Sequence, residues 1–225
     1  MFMYDSGYLL IVVASLVLGG ITQAYIKSTY RKWSQVPSGL GTDGASVARK
    51  MLVEGGAGGV GITRVAGQLT DHYDPRDNCL HLSDENYQGG SVASVAVACH
   101  EAGHAVQTAK GYMPGMIRTA LVPVVNISQQ GWMLVFILGM WMGLVGLMQF
   151  AVLLFAFTVI FQLVTLPVEI DASRRAVKYL SGSLGPNELA GARKVLIAAA
   201  LTYVASALVS ILNLVYLMAR TNNRR

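Results

Sequence analysis

Charge is scarce in this sequence. Asp, Glu, Lys and Arg make up only 13% of its 225 residues, while 53% are hydrophobic. Soluble domains usually carry about 25% charged residues, so half of the expected charge is missing. The deficit is concentrated: residues 7–26 and 119–168 contain no charged side chain. Uncharged runs of that length exclude an ordinary soluble domain and a disordered chain, and they indicate membrane spans. Cysteine is nearly absent too. Cys79 and Cys99 are the only two, which excludes a disulfide framework and suits a reducing compartment. The N-terminal stub has Asp5 and no Lys or Arg, so the first apolar run lacks the basic start of a signal peptide and reads as an uncleaved helix.

Four spans follow from these runs: one within residues 1–26, a hairpin of two over 119–168, and one beginning near 195 in the 195–225 segment. The hairpin turn is expected near Gly139–Gly143, which also spells a G-x-x-x-G packing pattern. Asn126, Ser128, Gln129 and Gln130 leave open an interfacial segment before the second span. Nine of the 17 Lys and Arg lie between the first and second spans and five between the third and fourth. The positive-inside rule places both loops in the cytoplasm, against the weaker pull of Arg220, Arg224 and Arg225 in the tail. Topology and anionic lipid headgroups account for the net charge of +5, and nucleic acid is not needed.

The chemistry is expected in the loop over 27–118. Thr42 or Asp43 can cap a helix over 44–54 that stops at Gly55-Gly56. The glycine-rich run Gly55–Gly61 has Ile62 where a phosphate-binding lysine would stand, so it reads as a flexible turn. Strand-like pieces at 61–70 and 79–83 flank a polar turn containing Asp74, Pro75, Asp77 and Asn78. A helix over about 91–109 follows. The sequence has no internal repeat, heptad pattern or low-complexity tail.

That last helix carries His100-Glu101-Ala102-Gly103-His104, an H-E-x-x-H pattern. Histidines four apart stack on one helical face, so two imidazole nitrogens can meet one zinc ion. Glu101 lies on the same side, within reach of a water at the metal. With four histidines in the chain, chance would produce the pattern on the order of once in several hundred such sequences. Val97, His100, Glu101, His104 and Thr108 share one face. Val95, Ala98, Ala102, Ala105 and Ala109 form an opposite, small-residue face that permits close packing. Cys99 points about 100° away from His100 and reads as a packing residue.

A catalytic zinc needs a third protein ligand. Glu169 and Asp171 are the first charges after fifty uncharged residues, at the cytoplasmic end of the third span and on the same membrane side as the histidines. Glu169 would complete a His2Glu site, or else pair with Arg174 or Arg175. Asp171 reads as a partner that orients a ligand, although a spacing of two puts it on another helical face. His72 sits in the polar turn, where it can stabilise the turn, bind the metal or, with Tyr73, stabilise an oxyanion. His81 reads as a surface residue of a strand.

The segments Leu69–Pro75, His100–His104 and Leu163–Arg174 together resemble the YugP-like membrane zinc metallopeptidases of bacteria. The resemblance covers nearly the whole chain. It implies a neutral zinc peptidase of the bacterial inner membrane, with Zn2+ held by His100, His104 and, by position, Glu169. HtpX- and Ste24-type membrane peptidases look similar in layout, but their third-ligand pattern is E-x-x-A-D. Here the segment reads Glu169-Ile170-Asp171-Ala172-Ser173, a departure that bears on Asp171 more than on Glu169.

The expected fold is mainly α: about four transmembrane helices and a small α+β, zincin-like cytoplasmic domain (27–118), with the third ligand in a cytoplasmic loop (169–194). The expected activity is peptide hydrolysis with Glu101 as general base and His100, His104 and Glu169 as metal ligands. The 79–83 strand could hold an extended substrate by strand addition. The substrate is a peptide or protein, membrane proteins among the candidates, and the bilayer is the other partner. Oligomeric state is open. Two rivals stand beside this reading. One is a membrane scaffold or quality-control adaptor with a structural or vestigial zinc, which His72 or His81 as a fourth ligand would favour. The other is an intramembrane protease, which would need the H-E-x-x-H helix itself to span.

Overall fold

The computed structural model describes residues 6–222. Asp5, Arg224 and Arg225, used above for the start and end of the chain, lie outside the described residues. The chain is mainly helical, with seven helices and one small sheet among the described residues. Four helices are long and apolar enough to cross a membrane: α1 (Ser6–Ser34), α5 (Met113–Trp141), α6 (Val145–Leu180) and α7 (Pro186–Asn222). The helix bearing His100 and His104 is not among them, so the intramembrane-protease reading loses the span it needs.

The chain divides into two compact units. Among the described residues, one comprises 6–22, 117–166 and 202–222. Its core is formed by Phe136 of α5, Met148, Ala151, Phe155 and Val159 of α6 and Leu217 of α7. Its outward apolar side chains stay uncovered; Leu10 and Leu16 on α1 are each 70% exposed, as expected where lipid replaces a protein partner. Two hydroxyls in these helices bond back to their own backbone, Ser15 Oγ to the Ile11 carbonyl (2.7 Å) and Thr165 Oγ1 to that of Phe161 (2.8 Å), so neither donor needs solvating in an apolar medium. The hairpin turn between α5 and α6 falls at 142–144, where Gly143 takes φ +69°. Gly139 is buried, and a side chain there would meet the Met148 backbone nitrogen at 2.9 Å. The first glycine of the G-x-x-x-G pattern thus packs the hairpin, while the second turns it. α5 runs without a break through Asn126, Ser128, Gln129 and Gln130.

The other unit comprises residues 23–116 and 167–201. Asp43 caps α2 (Gly44–Glu54) by accepting from the Ser46 amide at 2.7 Å. The glycine-rich turn after α2 is tied down by Arg49, whose Nη1 donates to the Val60 carbonyl at 2.6 Å. Three strands follow: β1 (Gly61–Val65), β2 (His72–Asp74) and β3 (Cys79–Ser83). β3 is central, parallel to β1 and antiparallel to β2, with Tyr73 opposite Leu80. Leu80 and Leu82 turn into the core and are fully buried. After the short α3 (Asp84–Gln88), Ser91 caps α4 (Val92–Ala109) through the Ser94 amide.

Three expectations are corrected here. The polar turn around His72 is shorter than expected, because His72–Asp74 form an edge strand; pairing with β3 overrides the turn preference of these residues. The strand at 79–83 cannot take up a substrate strand, since both of its edges are already paired. The segment 169–194 is not a loop. α6 continues to Leu180, with Ala172, Ala176 and Leu180 buried at four-residue spacing, and α7 begins at Pro186.

Asp71 ties this unit together. Its carboxylate accepts from the Ser83 amide (2.8 Å) and from Asn86 Nδ2 (2.8 Å), and Asn86 Oδ1 accepts from the Tyr30 hydroxyl (2.7 Å). The small-residue face of α4 is buried, Ala98, Ala102 and Ala105 included. Gly103 faces α6 so closely that a Cβ there would lie 2.8 Å from the Ala172 carbonyl oxygen and 3.2 Å from its Cα. Backbone cannot retreat as a flexible side chain can. Gly103→Val is therefore expected to cost about 1–3 kcal/mol, measured as a fall in the thermal midpoint followed by circular dichroism. An unchanged midpoint would show that the two helices are not locked by this approach.

Candidate metal centre

α4 and α6 carry the site. His100 and His104 project from one face of α4, one turn apart, with rings edge to face at 4.8 Å between centroids. Close passage of α6 at Gly103 brings Glu169 against them. Glu169 Oε2 lies 3.2 Å from His100 Nε2 and 3.5 Å from His104 Nε2, and the carboxylate is 2% exposed. The donor atoms of the three residues lie within 4.8 Å of one another. Donors around a tetrahedral zinc with bonds of about 2.0 Å sit roughly 3.3 Å apart, so the spacing fits such an ion. Glu169 does not pair with Arg174 or Arg175; Asp171 takes Arg175 instead, at 2.6 Å.

Hydrogen bonds on the far side of His104 fix which nitrogen faces the centre. Gln107 Nε2 donates to the Val168 carbonyl (2.8 Å) and to Asp171 Oδ2 (2.9 Å). Both of these partners can only accept, so this end of the amide must be the NH2. Gln107 Oε1 is then left facing His104 Nδ1 at 3.1 Å. An amide oxygen only accepts, so His104 Nδ1 carries a hydrogen, and in the neutral ring Nε2 presents a lone pair to Glu169. His100 is held similarly, with Nδ1 3.1 Å from Ser173 Oγ.

A lone pair facing a carboxylate is repulsive unless a cation or proton lies between them. Burial pushes the His104 pKa down, but the hydrogen bond to Glu169 and the charges of Glu101 and Glu169 outweigh it and hold the pKa above the ordinary value. The pocket thus draws positive charge, as a two-imidazole, one-carboxylate set for a divalent ion should. Glu101 is 8% exposed, and its carboxylate forms no hydrogen bond among the described residues.

The remaining expected site residues are not members of this donor group. His72 Nδ1 donates to the Thr70 carbonyl (2.8 Å), and its ring stacks on His81 at 4.7 Å. His81 Nε2 pairs with Asp77 at 2.9 Å. The Tyr73 hydroxyl donates to Asn78 Oδ1 at 3.1 Å. Among the described residues, the group able to hold a metal is His100, His104 and Glu169, without either of these histidines. Cys99 is fully buried, and burial pushes its thiol pKa up. Sequence reasoning missed Gln107 and Ser173. Their signal is helical spacing, Gln107 three residues after His104 and Ser173 four after Glu169.

Outer partners of ligating histidines usually matter about 10–100-fold in metal affinity. Gln107→Ala and Asp171→Ala are each expected to weaken zinc binding by roughly that factor, measured by competition with a chromophoric chelator. Wild-type affinity in both variants would show that the Gln107–Asp171 chain does not hold His104.

Comparison with known proteins agrees with this geometry. Residues 8–222 match the family described as "Putative neutral zinc metallopeptidase". The chain is 40% identical over 220 residues to "Putative membrane protease YugP" of Bacillus subtilis (strain 168), covering 96% of this chain and 98% of that protein. No solved structure matches the chain. The chain therefore belongs to the family so described.

Proposed function

We propose that the chain is a membrane-embedded zinc metallopeptidase that hydrolyses peptide bonds, with His100, His104 and Glu169 as metal ligands and Glu101 as general base. One observation carries the reading: three protein donors converge beside a buried carboxylate that has no hydrogen-bond partner among the described residues. Three donors leave one position of a tetrahedral ion open, the pattern of catalytic sites, whereas structural zinc sites are closed by four. His72 and His81, either of which as a fourth donor would favour the scaffold reading, bond to Thr70 and Asp77 instead.

Zinc bound here supplies Lewis acidity, lowering the pKa of water toward about 7 and polarising the scissile carbonyl. Glu101 follows His100 directly, has no hydrogen-bond partner among the described residues and acts electrostatically on His104; it accepts the proton of the attacking water. It then returns that proton to the amine that leaves, so one carboxylate serves both halves of the reaction. His104 stays neutral and oriented through Gln107, and His100 through Ser173. With β3 paired on both edges, an extended peptide has the outer edge of β1 or β2 to join, and β2 is the strand antiparallel to β3.

The positive-inside distribution of Lys and Arg supports a centre on the cytoplasmic face of a bacterial inner membrane. Membrane proteins presented at that face are the substrates this placement favours.

Glu101→Gln is expected to keep zinc and to lose about 10²–10⁴-fold in cleavage of a casein-type substrate. His104→Ala and Glu169→Ala are expected to lose the metal itself, read as zinc per polypeptide after purification. Wild-type cleavage by Glu101→Gln would remove the proposed base. Full zinc occupancy in Glu169→Ala would remove the third ligand while leaving the rest of the reading standing.

A further inference from the structure

Behind the metal centre, the last turns of α6 and the first turns of α7 enclose a groove of about 470 Å³. That volume lies within the roughly 300–1,000 Å³ typical of small-ligand sites. Its apolar wall includes Ile170, Leu196 and Ile197, and its cationic rim is Arg174, Lys178 and Arg193. No acidic side chain lines it. None of the three cations forms an ion pair or hydrogen bond among the described residues. By contrast, neighbouring Arg175 is committed to Asp171. The hydrolytic reading uses none of these residues.

Position in the sequence indicates what the groove meets. Glu169 is the first charge after the uncharged run of α6, and Val195 opens the uncharged run of α7. The groove therefore lies where both helices change from charged to apolar, with Ile170 (40%) and Ile197 (55%) exposed. Cations at such a level sit at headgroup depth while the apolar wall faces acyl chains. An acidic peptide would satisfy the rim but would leave the exposed isoleucines uncovered. A phospholipid satisfies both.

We infer that this groove binds one anionic phospholipid, its phosphate held by Arg174, Lys178 and Arg193 and its upper acyl chain lying on Ile170, Leu196 and Ile197. Ser173 joins this wall to the metal centre, since it lines the groove and its Oγ lies 3.1 Å from His100 Nδ1.

The test uses the full chain in phosphatidylcholine bilayers doped with spin-labelled phosphatidylglycerol or spin-labelled phosphatidylcholine. The selectivity of the motionally restricted lipid fraction is the readout. Wild type is expected to prefer phosphatidylglycerol by roughly fivefold or more. The triple variant Arg174→Gln, Lys178→Gln, Arg193→Gln is expected to fall close to no preference. A matched variant removing three cations outside the groove, Lys27→Gln, Arg31→Gln and Lys194→Gln, should keep most of it. Ala200→Phe, which fills the groove without changing charge, is expected to lower the preference as well, and it stands alone as the test if the triple variant loses helicity. Equal losses in the two triple variants would overturn the proposal in favour of diffuse surface attraction. So would unchanged selectivity in Ala200→Phe, or displacement of the restricted phosphatidylglycerol by a soluble poly-glutamate peptide.

Discussion

Two imidazole edges and a buried carboxylate converge on one point in this protein, and the His104 lone pair that faces Glu169 there is stable only with positive charge between them. Glu169 lies 3.2 and 3.5 Å from the two Nε2 atoms, and Gln107 prevents His104 from relieving the conflict by changing tautomer. The pKa of His104 responds by rising despite burial. A repulsion that the surrounding hydrogen bonds hold in place thus makes this a group that could hold a cation.

Small residues make that repulsion possible. Glu169 could not reach the histidines if α4 carried side chains toward α6, and Gly103 removes the one that would collide with Ala172. Ala98, Ala102 and Ala105 keep the opposite, buried face of α4 equally small, and Ala98 packs there beside Gly44 of α2. The H-E-x-x-H stretch therefore encodes two things at once: a metal-binding face in its histidines, and a close helix–helix approach in the glycine between them.

Much of the site was legible from the amino acids. Helical spacing put His100, Glu101 and His104 on one face, and an abrupt return of charge after fifty uncharged residues marked Glu169. What escaped depended on contacts remote in sequence. Gln107 matters because its amide is pinned by Val168 and Asp171, more than sixty residues away, and no local pattern announces that. Asp171 was expected to orient a ligand, and its two-residue offset from Glu169 argued against this. The offset is bridged by Gln107, which a linear reading could not supply. β2 was hidden because His72, Tyr73 and Asp74 adjoin strong turn formers and become a strand only through pairing with β3. The helical continuation of α6 past Glu169 was masked by its charges, although Ala172, Ala176 and Leu180 already carry a four-residue rhythm.

The three donors come from helices far apart in the chain, with an entire apolar hairpin made between them. A ribosome that has finished α4 has released two histidines with no carboxylate to join them. The third donor emerges only after the hairpin has been synthesised, and it reaches the histidines only when α6 has packed against Gly103. Under the proposed hydrolytic reading, a polypeptide that has not yet made and packed α6 holds an incomplete set of donors and would leave its neighbours uncut.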